Sequence, residues 1–416
     1  MIGRLNPDFK EVHVIGGGIS GLLAAYQCMK QGYQVTLFEE SDRLGGMLRT
    51  HKMKWGMGER AAHSLLATEE IKKFLNEIEC PFAEVNKKSR QRFIFINGKF
   101  SRFPLSFWET LRFVFGALFL PVGKSTEETK LSDWANQIMG KAVTDKLLTP
   151  FTRGVYGAGP QKLTLMAAFP NLVTPEKIPF LFGFFLQKLK TKKNKASMIS
   201  PAQGMTELVQ ALIRKIIHSP LVKIKTSTPV KKLDSNVNHI LTIGASQLAD
   251  FFEEPALRAA LKQIEYSALI SINLNLENKD LKMIPQGVGV LVAPSPSHNL
   301  NCLGVLFNSA SFPNRVVDEQ KYSSLTLLYV YEEKLGIFDK ITSDLKILFG
   351  FNGKLDECDM IINEWPTAIP IYNEKISNLQ MVAENSWCSK PGNILFGNYS
   401  GKVSLRGMIE DSFLLK

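Results

Sequence analysis

The chain has 416 residues, 45% hydrophobic and 21% charged, with a formal net charge of +11. It is long enough for two or three domains around a large core, and its composition excludes wholesale disorder. The positive balance suits nucleic acid, acidic lipid head groups or polycarboxylate substrates, though a merely basic solvated surface accounts for it equally well.

The first stretch with chemistry in it is a βαβ pattern. Val12-His13-Val14-Ile15 reads as a strand, Gly16-Gly17-Gly18-Ile19-Ser20-Gly21 as a turn, Leu22 to Tyr26 as a helix, and Val35-Thr36-Leu37-Phe38 as a second strand that ends at Glu39. In such a unit Gly16 permits the tight turn, Gly18 lets backbone approach a pyrophosphate, and Gly21 lets helix pack on strand. The anion rests on the free N–H groups at the helix start. Glu39, 18 residues after Gly21, stands where a carboxylate accepts ribose hydroxyls.

Trp55 to Thr68 reads as strand and loop, and Glu69 to Ile78 as a helix burying Ile71, Phe74, Leu75 and Ile78. Gln91 to Phe100 is predicted as a hairpin turning at Asn97-Gly98. Helical periodicity dominates from Leu105 to Lys195, interrupted by prolines, as in an inserted helical domain. Within it Phe113–Val122 and Ile178–Gln187 are uncharged but too short to cross about 30 Å of hydrocarbon. The second runs into a lysine-rich stretch from Lys188 to Lys195, so it could rest on an anionic membrane or cap a ligand cavity with a solvated end.

Another helix opens near Met205, with Thr206 or a neighbour as its cap. Val222 to Thr226 and Pro229-Val230 read as strands returning to the first domain. Leu269–Leu274, Gly287–Val292, Cys302–Phe307 and Leu325–Tyr331 are short β-type runs, expected to form one antiparallel sheet, and Asn393 to Phe396 is the last strand. Five cysteines (Cys28, Cys80, Cys302, Cys358, Cys388) and six histidines are dispersed, so no metal site is expected and the compartment reads as reducing. The first residues lack the apolar core of a signal peptide, which points to the cytoplasm.

The segment from Glu39 and Glu40 through Arg43, Gly45, Gly46 and Arg49 to Thr50 resembles the second flavin-contacting motif of the amine oxidase and protoporphyrinogen oxidase superfamily. In that superfamily the arginine and paired glycines wrap the phosphates and ribityl chain of FAD, so the resemblance implies FAD rather than NAD as cofactor. Three further stretches resemble the oxygen-dependent protoporphyrinogen oxidases more narrowly. They are Pro150 to Pro170 with its Arg153-Gly154-Val155-Tyr156 core, Gly287 to Pro294 together with Leu303 to Ser309, and Trp365 to Tyr372. General amine oxidases and carotenoid-type desaturases share the opening motif, but their aromatic-cage and C-terminal signatures are not visible.

The resemblance implies an α/β fold with a Rossmann-type FAD-binding domain (1–60, 200–250 and 380–416), a mixed-sheet substrate domain (61–100 and 255–380) and an inserted helical domain (101–199). It matches Arg92 to the arginine that pairs with a substrate propionate, a role suited to a guanidinium fork. Phe151, Gly154, Gly289, Leu291 and Ile369 match residues that sandwich the macrocycle, and His63 replaces a ligand-facing side chain that could assist proton loss. Val230 matches a contact to the adenine end of FAD, and Gly397, Asn398 and Val403 through Met408 and Ile409 match the C-terminal flavin segment.

The implied reaction oxidises protoporphyrinogen, with dioxygen reoxidising the flavin, and coproporphyrinogen is the nearest alternative substrate. It needs no acid or base cluster, because burying the ring and holding one bridge carbon against the flavin suffices. No nucleic-acid partner is expected, and a homodimer is among the open options. The departures are Ala61-Ala62 in place of a Gly-Pro or Gly-Ala pair, a short connection from Val230 to Asn238, and Ile409 to Phe413 in place of the closing motif. They bear on flavin affinity and turnover, and leave a flavoprotein without turnover as a further reading.

Overall fold

A computed structural model of the chain describes residues 1–174, 176–190, 195–295 and 299–415, with backbone alone at 186–190 and 333. Residues 191–194 of the lysine run lie outside the described residues. Five parallel strands form the first sheet, in the order Val222–Lys225, Gln34–Phe38 (β2), Glu11–Ile15 (β1), Asn238–Leu241 and Asn393–Leu395. Helix α1 (Ile19–Lys30) makes the crossover from β1 to β2.

Both faces of this sheet are covered, as its apolar strands require. Val12, Val14 and Leu37 pack with Leu22, Leu23 and Tyr26 of α1 on one side, whereas Ile15, Leu241 and Leu395 pack on the other with helices Ala245–Leu248, Pro255–Lys262 and Glu374–Glu384. The result is a doubly wound, Rossmann-type layer. Residues 226–237, which join the strand at 222–225 to the one at 238–241, contain no strand, so Pro229-Val230 is not the strand its composition suggested. Pro229 has no N–H to give to a ladder, and Ser227 turns the chain with a φ of 49°.

The helix Met205–Ile217 lies beside α1, but Thr206 is not its cap. Gly204 holds the cap position at a φ of 86° with no side chain to offer, and the Glu59 carboxylate accepts from the Met205 N–H at 3.0 Å instead. Thr206 exchanges hydrogen bonds with Thr50, backbone N–H to hydroxyl in each direction, at 2.7 and 3.0 Å.

The second sheet has seven strands in the order Asp359–Pro370, Tyr266–Glu277, Tyr322–Val330, Gly304–Phe307, Gly289–Val292, Arg92–Ile96 and Lys99–Ser101. It is mixed rather than purely antiparallel, because Gly289–Val292 runs parallel to Arg92–Ile96. The Trp365–Tyr372 stretch belongs largely to a 12-residue strand that its two prolines conceal; an edge position tolerates Pro366 and Pro370. One face of the sheet, carrying Phe93, Phe95, Val305, Phe307 and Leu327, buries Leu345 and Phe349 of helix Ile337–Phe349. The other, inner face carries Ile94, Leu291, Leu306 and Leu328.

Between the strands of this second sheet, residues 107–190 form a run of helices that includes Phe107–Phe119, Leu131–Ile138, Thr149–Tyr156 and Phe180–Lys190. The first starts at a reciprocal capping box of Ser106 and Glu109.

Candidate active site

The glycine turn between β1 and α1 has the properties of a phosphate cradle. Gly16 sits at a φ of 108° and its N–H donates to the Phe38 carbonyl at 2.8 Å. A side chain on Gly21 would collide with the Gly16 carbonyl oxygen, whereas one on Gly18 would meet nothing within 4 Å. The two glycines therefore do different things, Gly21 closing helix on strand and Gly18 leaving open space. No side chain caps α1 and its first turn holds no acid, so the first-turn N–H groups and the positive end of the helix dipole are free for an anion.

A second glycine pair lies against the first. Gly45 and Gly46 have φ of 107° and 55°, the Gly45 N–H donates to the Gly17 carbonyl at 2.8 Å, and a Cβ on Gly46 would come within 3.1 Å of the Gly18 Cα. Arg43 donates to the Gly46 carbonyl at 2.8 Å and holds this loop. Glu39 follows β2, its carboxylate accepting from the Gly17 N–H at 2.6 Å and from Ser41, while Glu40 is exposed. Arg43, Arg49 and Arg60 are close enough that their charges, behind burial, lower His51, and Arg60 is lowered by burial and then by the other two. Arg60 was not singled out in the sequence; its place beside Glu59 carries no local signature. Its guanidinium lies over the Trp365 ring at 4.7 Å, and the Trp365 indole N–H donates to the Arg60 carbonyl at 3.2 Å.

The C-terminal segment closes on α1. Ser20 donates to the Met408 sulfur at 3.3 Å, Ile409 is buried in the α1 cluster, and Ile19 packs partly buried there. Ser400 braces Gly397, the Tyr372 hydroxyl donates to the Asn398 carbonyl, and Val403 packs against the helical cluster. On the far side of β2 the Thr228 N–H donates to the Glu39 carbonyl, which brings Val230 beside that acid. Val230 lines a cleft of about 210 Å³ with Ile15, Phe38, His13 and His239. Open space at Gly18, free helix N–H groups and three arginines fit the two phosphates of FAD, and Glu39 fits its ribose.

The substrate-side residues meet on the inner face of the seven-stranded sheet. Register places Arg92 opposite Gly289 and Ile94 opposite Leu291, although about 200 residues separate the strands in sequence. Helix Thr149–Tyr156 crosses above: a Cβ on Gly154 would run into the end of the Leu291 side chain, and one on Gly157 would meet Ser267 at 2.7 Å. Ser267 pairs in turn with Ile369. Ile94, Leu291, Leu306, Leu328 and Ile369 are each half-buried, with Phe151 and Arg92 exposed, so an aliphatic wall ends at a cation.

Gly154 and Gly289 each have a packing role beside the one the resemblance implies: a side chain on Gly289 would strike the Val305 carbonyl of the neighbouring strand, and Gly154 lets the helix settle on Leu291. His63 is not among the residues of this wall. It is half-buried, and its carbonyl accepts from Ser200. With Met57, Glu59, Asn308, Phe312 and Arg315 it lines a void of about 10 Å³, and its Nε2 there has no partner. Burial, and then the Arg315 charge, push its pKa down to about 3, so it stands neutral near pH 7.

A buried pair, Glu59–Arg315, forms a junction between the strand pair Thr50–Lys52 and Met57–Glu59 and the segment that follows helix Asn308–Ser311, with Nη1 to Oε1 at 3.1 Å. Thr50 donates to the same carboxylate, Asn273 donates to the Glu59 carbonyl, and Arg315 also donates to Ser200. Burial raises the Glu59 carboxyl against the opposing pull of Arg315, Thr50 and the Met205 N–H.

The family described as flavin containing amine oxidoreductase matches residues 19–400. Mitochondrial protoporphyrinogen oxidase of Nicotiana tabacum is 23% identical over 95% of this chain and 92% of its own length. Coproporphyrinogen III oxidase of Bacillus subtilis is 21% identical over 88% of each. Among solved structures, reduced UDP-galactopyranose mutase superposes with a TM-score of 0.72 at 13% identity, covering 97% of this chain and 93% of that one.

Proposed function

Because the chain belongs to the flavin-containing amine oxidoreductase family and FAD is its cofactor, we propose that it is a porphyrinogen oxidase of haem biosynthesis, converting protoporphyrinogen IX to protoporphyrin IX with dioxygen as acceptor. The observation that carries this reading is the half-buried aliphatic wall of Ile94, Leu291 and Ile369 with Arg92 at its end. That surface suits a flat apolar macrocycle with a carboxylate at its rim. FAD, when bound, supplies the hydride acceptor.

In this reading the chain's own residues bind and orient. Leu291, Ile369 and Phe151 hold the ring, Arg92 takes a propionate with its fork, and Arg43, Arg49 and Arg60 hold the cofactor's anionic part. No side chain is assigned as acid or base. Five free cysteines among the described residues suit a reducing, cytoplasmic setting.

Coproporphyrinogen is the second reading, favoured by one feature. Residues 87–102 contain six basic side chains and no acidic one, which suits a ring with more carboxylates than two. The deciding assay is porphyrin fluorescence from each porphyrinogen, in air, with FAD-loaded protein, above the rate without protein. Acceleration of one substrate selects it. No acceleration of either, with flavin bound, overturns the proposal and leaves a flavoprotein without this turnover. Arg92→Ala should raise KM for the accelerated substrate with flavin content unchanged, and unaltered kinetics would remove Arg92 from the site.

A further inference from the structure

The cleft beside Val230 lies on the opposite face of the first sheet from α1. Side chains alternate along β1, so Val12 and Val14 pack under α1 while His13 and Ile15 face the other way, and register sets His239 of the neighbouring strand beside His13. Residues 226–237 pass over these side chains without forming a strand and leave about 210 Å³ between. The floor of the cleft is polar. His13 stands edge-on to His239 at 6.0 Å and to Phe38 at 5.2 Å, between the carboxylates of Glu11 at 3.1 Å and Asp234 at 3.4 Å. His239 is 5% exposed and its Nε2 has no partner. Burial, and then His13, lower its pKa to about 4, so near pH 7 the ring is neutral and that nitrogen donates or accepts one hydrogen bond according to its tautomer.

Ile15, Phe38, Val230 and Leu233 give the cleft apolar walls, and Lys231 and Lys232 stand exposed at its rim. Neither lysine forms an ion pair among the described residues, and the acid that also lines the cleft, Asp234, is committed to His13. A buried polar nitrogen without a partner, apolar walls and two unpaired cations at the mouth define one kind of occupant. We propose that the cleft binds a small planar aromatic carboxylate, its ring against Phe38, its anionic end at Lys231 and Lys232 and a polar ring atom at His239. About 210 Å³ is below the roughly 300–1,000 Å³ of sites for drug-sized ligands, which limits the occupant to one or two rings. The cleft is separate from the phosphate cradle at Gly18 but shares a wall with the ribose end of the cofactor site. The Thr228 N–H donates to the Glu39 carbonyl at 2.9 Å and the Ser227 N–H to the Ser41 carbonyl at 2.8 Å, so a molecule in the cleft braces residues 227–230 against Glu39. Such a molecule tightens FAD, and FAD tightens it, by the same factor.

Indole-5-carboxylate, which carries its N–H and its carboxylate at opposite ends of one flat ring system, serves as the probe. Titration calorimetry of FAD-loaded full-length protein is expected to show one site per chain with a Kd of about 1 mM or below, and saturating probe should slow the loss of FAD on dilution by at least about twofold. Lys231→Glu/Lys232→Glu, which changes two exposed side chains, should weaken probe binding by roughly tenfold or more, as should His239→Leu, whereas Arg92→Ala should leave it unchanged. The proposal is overturned if no binding is seen at about 10 mM probe, if the lysine variant binds as well as wild type, or if bound probe leaves the loss of FAD unaltered. Binding lost in Arg92→Ala and kept in the lysine variant would put the probe on the wall proposed for porphyrinogen, and binding to flavin-free protein that FAD abolishes would give the cleft to the cofactor; either result overturns it as well. Porphyrinogen turnover plays no part in these readouts, so the two proposals fail separately.

Discussion

Replacing Arg315 by Met removes the cation from a pair whose side chains are 4% and 3% exposed. Removing one partner of a buried ion pair typically costs about 3–5 kcal/mol, because the other charge stays buried and uncompensated. Here the Glu59 carboxylate keeps the Thr50 hydroxyl at 2.9 Å and the Met205 N–H at 3.0 Å, so the lower end, about 3 kcal/mol, is expected. Glu59→Gln/Arg315→Met removes both charges and should recover about 2 kcal/mol of that loss in a double-mutant cycle. A chain with two large sheets and two small ones need not unfold in one step, so the midpoint of the first urea transition followed by circular dichroism is the quantity to compare. A single-variant cost below about 1 kcal/mol, or a double variant as costly as the sum of the singles, would refute the junction role.

The glycine turn gives a paired contrast. Gly18→Ala should leave the fold's unfolding midpoint in place and reduce bound FAD, whereas Gly21→Ala, which forces a methyl into the Gly16 carbonyl, should lower expression of folded protein; equal effects on flavin and fold would contradict the two roles. Gly154→Ala should push the end of Leu291 and lower porphyrinogen turnover with flavin content retained, because a flexible side chain yields where backbone would not. For pH, the folded chain keeps His63 neutral down to about 3 while the unfolded chain protonates it near 6.5. Its contribution is therefore whole above pH 6.5 and is lost as pH falls toward 3, by up to about 1.4 kcal/mol per unit. The urea midpoint of His63→Gln should fall less steeply than that of the wild type between those limits, and parallel acid limbs would exclude the effect.

What the sequence discloses and what it hides follow from how far apart the interacting atoms lie along the chain. The turn at Gly16–Gly21, the acid at Glu39 and the helix at 69–77 depend on neighbours within one βαβ unit or one helical face, so spacing alone places them. Glu59 meets Arg315 across 256 positions, and nothing near either residue announces the other. The same distance explains why Thr206 looks like a cap. A local pattern has a hydroxyl in the right place, yet Gly204 holds the cap position and a carboxylate from another strand satisfies the helix. The strand at 359–370 fails for the opposite reason, since its prolines are valid local signals overruled by an edge position that only the assembled sheet creates. Arg92 and Leu291 share a wall solely through a parallel register, so a motif can nominate each of them but only the ladder can put them side by side. Helix Phe107–Phe119 carries this furthest. Its apolar residues recur at helical spacing and would ordinarily be assigned to the core, and it is Gly116, against the Ile138 carbonyl, that turns Phe107, Trp108 and Phe119 outward. Periodicity defines a face; which face is buried depends on where close approach is required.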